Sequence, residues 1–266
     1  MARINDIFAT LRQSGTGGLM PFLTGGFPSL ADTEQTLLGM ADAGANIIEI
    51  GFPFSDPIAD GPVIASSMHE VLEGGLRIEE LFELIASVRD RVPIGLVAMV
   101  SESIIERMGA ERFIKRTADA GFDGLIVPDM DLDRTAPLNT LVADHDLSLT
   151  FLIAPTTSLE RAEQILKACR GFVYLLARAG LTGESEQAPE IAKQVEMIRQ
   201  RSDLPIAAGF GIATPEHVRL VTEHADAAIV GSALVRRMAE ADDAPAAALE
   251  FTRLLSGGLA GTPSGH

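Results

Sequence analysis

Short runs that are apolar on both faces alternate along this chain with longer runs whose apolar residues recur every three to four positions. The short runs fall at residues 19–24, 46–50, 94–99, 124–127, 149–153, 172–176, 205–208 and 227–230. They predict eight strands covered on both sides, as in a parallel sheet. The longer runs, at 30–43, 78–91, 110–120, 136–145, 159–168, 190–201, 215–224 and 244–255, predict helices. Ser29, Ser158 and Thr214 stand where N-caps belong, with Pro215 at a first helical position. Gly44, Gly121 and Gly171 stand where helices end. Eight β/α units without a compositional break predict an α/β fold, a (β/α)8 TIM barrel spanning residues 1–256 as one domain. Extra short helices are expected after strand two, around residues 62–72, and after strand eight. A doubly wound open sheet is the rival. It usually carries a Gly-rich fingerprint after strand one, and Gly17-Gly18 and Gly25-Gly26 do not form one. Residues 257–266 hold four glycines, Pro263 and Ser264 and read as a flexible tail.

Composition narrows the function. The chain has 266 residues, 21 Lys plus Arg and 37 Asp plus Glu, a formal charge of −16. Nucleic acid and anionic membrane surfaces are disfavoured, because both are bound through Lys and Arg. A small anionic ligand is not, because backbone amides can hold phosphate without net positive charge. The single cysteine, Cys169, cannot form an intrachain disulfide, which fits a cytoplasmic protein. No apolar run reaches the ~20 residues of a spanning helix. The N-terminus lacks the continuous apolar core of a signal peptide. The five histidines show no HxH or HExxH spacing, so no metal is expected.

Barrel chemistry sits at the strand C-termini and the loops that follow them. Glu49 interrupts the apolar run 46–50. Strand alternation sends it away from Ile48 and Ile50, into the barrel or its mouth. Burial there would raise its pKa into the range of a general acid/base; alternatively, a neighbouring hydroxyl or amide satisfies it. Asp56 and Asp60 follow in a proline-rich loop and either form turns or serve the site, Asp60 being the better placed for function. Gly209-Phe210-Gly211 and Gly231-Ser232-Ala233 follow strands seven and eight, where barrels commonly bind phosphate. Gly180, Thr182 and Gly183 lie in a long polar segment after strand six that reads as a lid. Tyr174 points into the pocket or out beneath a helix. Phe22 and Phe210 line the pocket or fill the core. Cys169 reads as packing.

The segment from Glu49 to Pro62, with Pro21-Phe22-Leu23, Gly26-Phe27-Pro28, Tyr174, Gly180-Leu181-Thr182-Gly183, Gly209-Phe210-Gly211 and Gly231-Ser232-Ala233, resembles the tryptophan synthase alpha subunit family. That resemblance implies a lyase that cleaves indole-3-glycerol phosphate to indole and glyceraldehyde 3-phosphate, without a cofactor in this chain. By the same resemblance Glu49 moves protons and Asp60 binds the indole N–H. Gly183, Gly211, Gly231 and Ser232 hold the phosphate, while Phe22, Tyr174, Thr182 and Phe210 line or close the indole pocket. The implied partner is a beta subunit carrying pyridoxal phosphate, in an α2β2 heterotetramer. Two segments depart. Residues 99–104 lack the family's aromatic residue and the Asn-Pro that touches the beta subunit, and residues 129–131 lack a proline. The first departure motivates a second reading, a free-standing lyase that releases indole. Another phosphosugar barrel enzyme and a non-catalytic phosphate binder are the remaining alternatives.

Overall fold

The computed structural model describes residues 2–55, 61–176, 184–209 and 211–259. Its elements follow in the order α1 (Ala2–Ser14), β1 (Gly18–Thr24), α2 (Leu30–Met40), β2 (Ile47–Gly51), α3 (Pro62–Glu73), α4 (Ile78–Val88), β3 (Gly95–Met99), α5 (Glu102–Met108), α6 (Ala110–Ala120) and β4 (Gly124–Ile126). They continue with α7 (Thr135–Asp144), β5 (Ser148–Thr150), β6 (Leu152–Ile153), α8 (Leu159–Ala168), β7 (Val173–Leu176), α9 (Glu184–Arg199), β8 (Ile206–Gly209), α10 (Pro215–Thr222), β9 (Ala227–Val230), α11 (Ser232–Ala239) and α12 (Ala244–Ser256). A 3-10 turn, Gly257–Leu259, extends α12 into the span read as tail.

All described strand pairs are parallel, in the order β5-β4-β3-β2-β1-β9-β8-β7-β6. The two ends of that order are neighbours in the chain, separated only by Phe151. The sheet therefore closes on itself, and the expected TIM barrel is what forms. The predicted fifth strand is the one that differs, because it divides. Its first half pairs with β4 and its second with β7. On its far side Leu149 meets Arg170 in an antiparallel bridge. The parallel ladder to β7 therefore starts only at Leu152.

Two apolar layers follow from strand alternation. Leu19, Ile48, Ile50, Leu96, Val173 and Ala208 face out beneath the helices. Met20, Ile47, Val97, Ile126, Phe172 and Ala207 face in. The inner layer is completed by α1, which the strand and helix pattern above does not include. Its Ile4, Phe8 and Leu11 insert into the inner cluster, and the Phe8 ring lies 5.7 Å from that of Phe172. The i, i+3, i+4, i+7 spacing of Ile4, Ile7, Phe8 and Leu11 is the signal that announces this helix. The short α5 is a second addition, started by Ser101, whose hydroxyl accepts from the Ser103 amide.

The closed end is tied down by polar groups. Asn46, Asp123 and Asp226 each stand just before a strand and accept the amide of a residue on the strand that precedes it in sequence. The partners are Leu19 at 2.8 Å, Leu96 at 2.9 Å and Ile206 at 2.8 Å. Two of these carboxylates also anchor α1. Arg3 lies 3.2 Å from Asp123, and Arg12 lies 2.9 Å from Asp226. The guanidinium of Arg12 is held above its ordinary pKa chiefly by its hydrogen bond to Asp226.

The expected caps form. Ser29, Ser158 and Thr214 accept from the amides of Asp32, Arg161 and His217. Gly121 ends α6 in the left-handed conformation at φ 89°, which a side chain would strain. The α1 plug generates a test: Phe8→Ala should destabilise the protein by about 3–5 kcal/mol in urea unfolding, the usual cost of emptying a buried aromatic site. A loss below about 1 kcal/mol would mean that α1 does not carry the inner core.

Candidate active site

The end of the barrel opposite α1 holds the titratable group that the sequence singles out. Glu49 is fully buried on β2, level with Phe22 on β1 and Val97 on β3. Those partners and Ile47 place it inside the barrel. Neither of its carboxylate oxygens has a hydrogen-bond partner among the described residues. The neighbouring hydroxyl or amide that would satisfy it is not found among the described residues. Burial pushes its pKa well above the ordinary carboxylate value, because an ionised oxygen there would lose its hydration with nothing in return.

The strand ends above Glu49 are built from glycine and aromatic rings. The Phe22 ring packs onto Gly51 so closely that a Cβ there would lie 2.5 Å from Cζ. On the opposite side the Tyr174 hydroxyl covers Gly209, where a Cβ would lie 2.9 Å from it. Tyr174 thus points inward, with Phe172 and Ala207 as inner-layer neighbours. Gly51 is a site feature that the sequence reading passed over, although it closes the same strand as Glu49. The segment after it is fixed by Phe52, fully buried with its ring 5.2 Å from Phe82, 5.9 Å from Phe113 and 5.8 Å from Phe122.

Beside this mouth two helices begin without a side-chain cap. The N-cap of α3 is Gly61, and that of α11 is Gly231. They lie close together: a Cβ on Gly61 would be 3.7 Å from the Ser232 hydroxyl, and one on Gly231 would be 3.4 Å from the Ile64 methyl. Helix starts carry unpaired amides and the positive end of the helix dipole. Their convergence forms a neutral but anion-attracting corner. Gly211 follows β8 in a positive-φ conformation at 55° and is exposed. Asp56, Asp60, Gly180, Thr182, Gly183 and Phe210 lie outside the described residues, while the rest of the expected lid, from Glu184, is the first part of helix α9.

The two departing segments meet each other. Ser101 donates to Asp129 at 2.7 Å, and the Glu102 amide donates to the same carboxylate at 2.9 Å. Arg134 pairs with Glu102 at 2.9 Å and also with Glu106. The loops after β3 and β4 are thereby joined by polar contacts in place of the aromatic and proline residues that are missing. Cys169 is buried, and its thiol is pushed up to about 12 by desolvation, as befits a packing residue. Among the described residues no helix is long and apolar enough to cross a membrane.

Comparison with known proteins agrees with the barrel fold. The family model of the tryptophan synthase alpha chain matches residues 8–260. A tryptophan synthase alpha chain of Thermosynechococcus vestitus is 41% identical over 255 residues, covering 95% of this chain and 96% of the relative. One from Chloroflexus aggregans is 42% identical over 240 residues, covering 90% of each. Among solved structures, tryptophan synthase of M. tuberculosis in an aminoacrylate-bound form superposes with a TM-score of 0.88 at 28% identity, covering 97% of this chain and 99% of that one. The alpha subunit from Legionella pneumophila superposes with a TM-score of 0.88 at 29% identity, covering 97% and 98%. With the family model matched over nearly its whole length, this chain belongs to the tryptophan synthase alpha chain family.

Proposed function

We propose that this protein cleaves indole-3-glycerol phosphate to indole and glyceraldehyde 3-phosphate, and that Glu49 moves the protons. The observation that carries the reading is Glu49, fully buried inside the barrel with no hydrogen-bond partner for either carboxylate oxygen among the described residues. Burial raises its pKa, which favours the protonated form that a general acid needs.

The steps balance around that one group. Protonated Glu49 gives its proton to the indole C3, and the ring nitrogen takes up the positive charge. The resulting carboxylate then accepts the proton of the side-chain hydroxyl next to C3. The oxygen electrons form the aldehyde carbonyl, and the bond from C3 to the side chain breaks. Its electron pair returns to the ring, which neutralises the nitrogen. Glu49 ends protonated, ready for another turnover. Asp60 is assigned to the indole N–H, where a carboxylate stabilises the positive ring. Phe22, Tyr174, Thr182 and Phe210 are assigned to the indole pocket. Gly183, Gly211, Gly231 and Ser232 are assigned to the phosphate. The converging uncapped starts of α3 and α11 support the phosphate assignment, because oriented amides bind an anion without a basic side chain. Family membership implies a tryptophan synthase beta partner. We assign the pyridoxal phosphate to that partner, the assembly to α2β2 and the location to the cytoplasm.

Two measurements test the proposal. Indole release from indole-3-glycerol phosphate is followed with and without added beta subunit, and absence of indole under both conditions overturns the reading. Glu49→Gln should lower kcat by roughly 10²–10⁴-fold, the usual worth of a positioned acid/base, while still binding substrate. Retained turnover would remove Glu49 from the role. The second measurement is thermal stability against pH. The folded protein binds the Glu49 proton more tightly than the unfolded chain does. Stability from that proton is therefore full below the ordinary carboxylate range and is lost as pH rises through the folded value. Glu49→Gln removes this loss. The variant should gain on the wild type as pH rises from the ordinary carboxylate range through the raised folded value; a difference that stays constant would contradict a raised pKa.

A further inference from the structure

Helix α3 forms one wall of the mouth, and its apolar contacts leave its position along the barrel open. Met68 lies by Gly51, where a Cβ would be 3.4 Å from its Cε. Val71 lies by Gly26, where a Cβ would be 3.2 Å from its Cγ1. Ile64 lies by Gly231. Such contacts are non-directional and tolerate sliding. One directional contact joins α3 to a barrel strand through side chains among the described residues. Thr24, at the end of β1, lies with its hydroxyl 2.7 Å from that of Ser67 on α3. Both residues are buried, each 2% exposed. Ser67 gives its proton to the Ile64 carbonyl at 2.8 Å, so Thr24 donates to Ser67. The chain of hydroxyls runs from the strand next to Glu49 into the turn of α3 that abuts Gly231.

We propose that the Thr24–Ser67 hydroxyl pair is a positioning latch for the reaction, setting α3 so that Ile64 and Gly61 seat against Gly231 and Ser232 at the anion corner. Thr24 and Ser67 touch no reacting atom; they act through α3. The inference rests on the lyase reading above, and it separates two effects. Glu49 is carried by β2 and stays in place when the latch is cut. The anion corner depends on α3 and does not. Cutting the latch therefore weakens substrate binding more than it slows the proton transfers.

The test uses the full chain with Thr24→Val, Ser67→Ala, the double variant and Thr24→Ser. Thr24→Val and Ser67→Ala are expected to raise KM roughly tenfold with kcat changed by less than about threefold, the pattern of lost uniform binding. Thr24→Ser restores KM to within about twofold of the wild type, since serine keeps the donor. The double variant is no worse than either single one, because both cut the same contact. A merely structural role would lower kcat in step with the folded fraction and leave KM unchanged, which overturns the latch; so would wild-type KM in a folded Thr24→Val. Hydrogen exchange of the α3 amides gives a readout that needs no turnover. Faster exchange in α3, with α6 unchanged, supports the latch, and unchanged α3 protection overturns it. If the wild-type protein releases no indole, the lyase reading falls and the exchange result alone decides the latch.

Discussion

Glu49 lies inside a closed barrel with no hydrogen-bond partner among the described residues, and the surrounding architecture is what makes that tolerable. An ionised carboxylate there would be far from water; a protonated one is only a polar group in an apolar cavity. Burial in the barrel therefore favours the protonated form. That requires the far end to be sealed, and α1 seals it. Arg3 and Arg12 pin this helix to Asp123 and Asp226, carboxylates that also tie neighbouring strands together. One set of groups thus ties neighbouring strands together and holds the plug.

The open end is made of absences of side chain. Gly51 admits the Phe22 ring, Gly209 admits the Tyr174 hydroxyl, and Gly61 and Gly231 bring two helix starts together. A methyl group at Gly51 would collide with the Phe22 ring, and one at Gly209 would crowd the Tyr174 hydroxyl. The anion corner needs no basic residue, which is compatible with a chain of formal charge −16 acting on an anionic substrate. The departing loops after β3 and β4 are joined to each other by Ser101, Asp129 and Arg134 rather than left loose.

Much of the fold was legible because strand and helix periods are local properties. The β/α alternation, the caps at Ser29, Ser158 and Thr214, and the helix after strand two all depend on residues a few positions apart. The spacing of Ile4, Ile7, Phe8 and Leu11 carries the signal of α1, which the pattern reading left out, and its destination lies beyond any local signal, since insertion into the barrel floor involves Phe172, far along the chain. The same limit applies to the fifth strand. Its apolar run reads as one element, and it divides at Phe151 because the bridge between Leu149 and Arg170 fixes one half differently from the other.

The sequence by itself determined that a glutamate interrupts an inward-facing strand position, that glycine pairs follow the last two strands, and that the whole matches one enzyme family's pattern. Each is a statement about residue type at a spacing. Only the tertiary structure decided that Glu49 has no partner among the described residues, that Tyr174 faces inward, that α3 and α11 start side by side, and that a hydroxyl of β1 holds α3. These depend on which distant segments come within a few ångströms of one another once the sheet closes. Solvation and directional hydrogen bonds are set by that proximity, and spacing along the chain does not contain it.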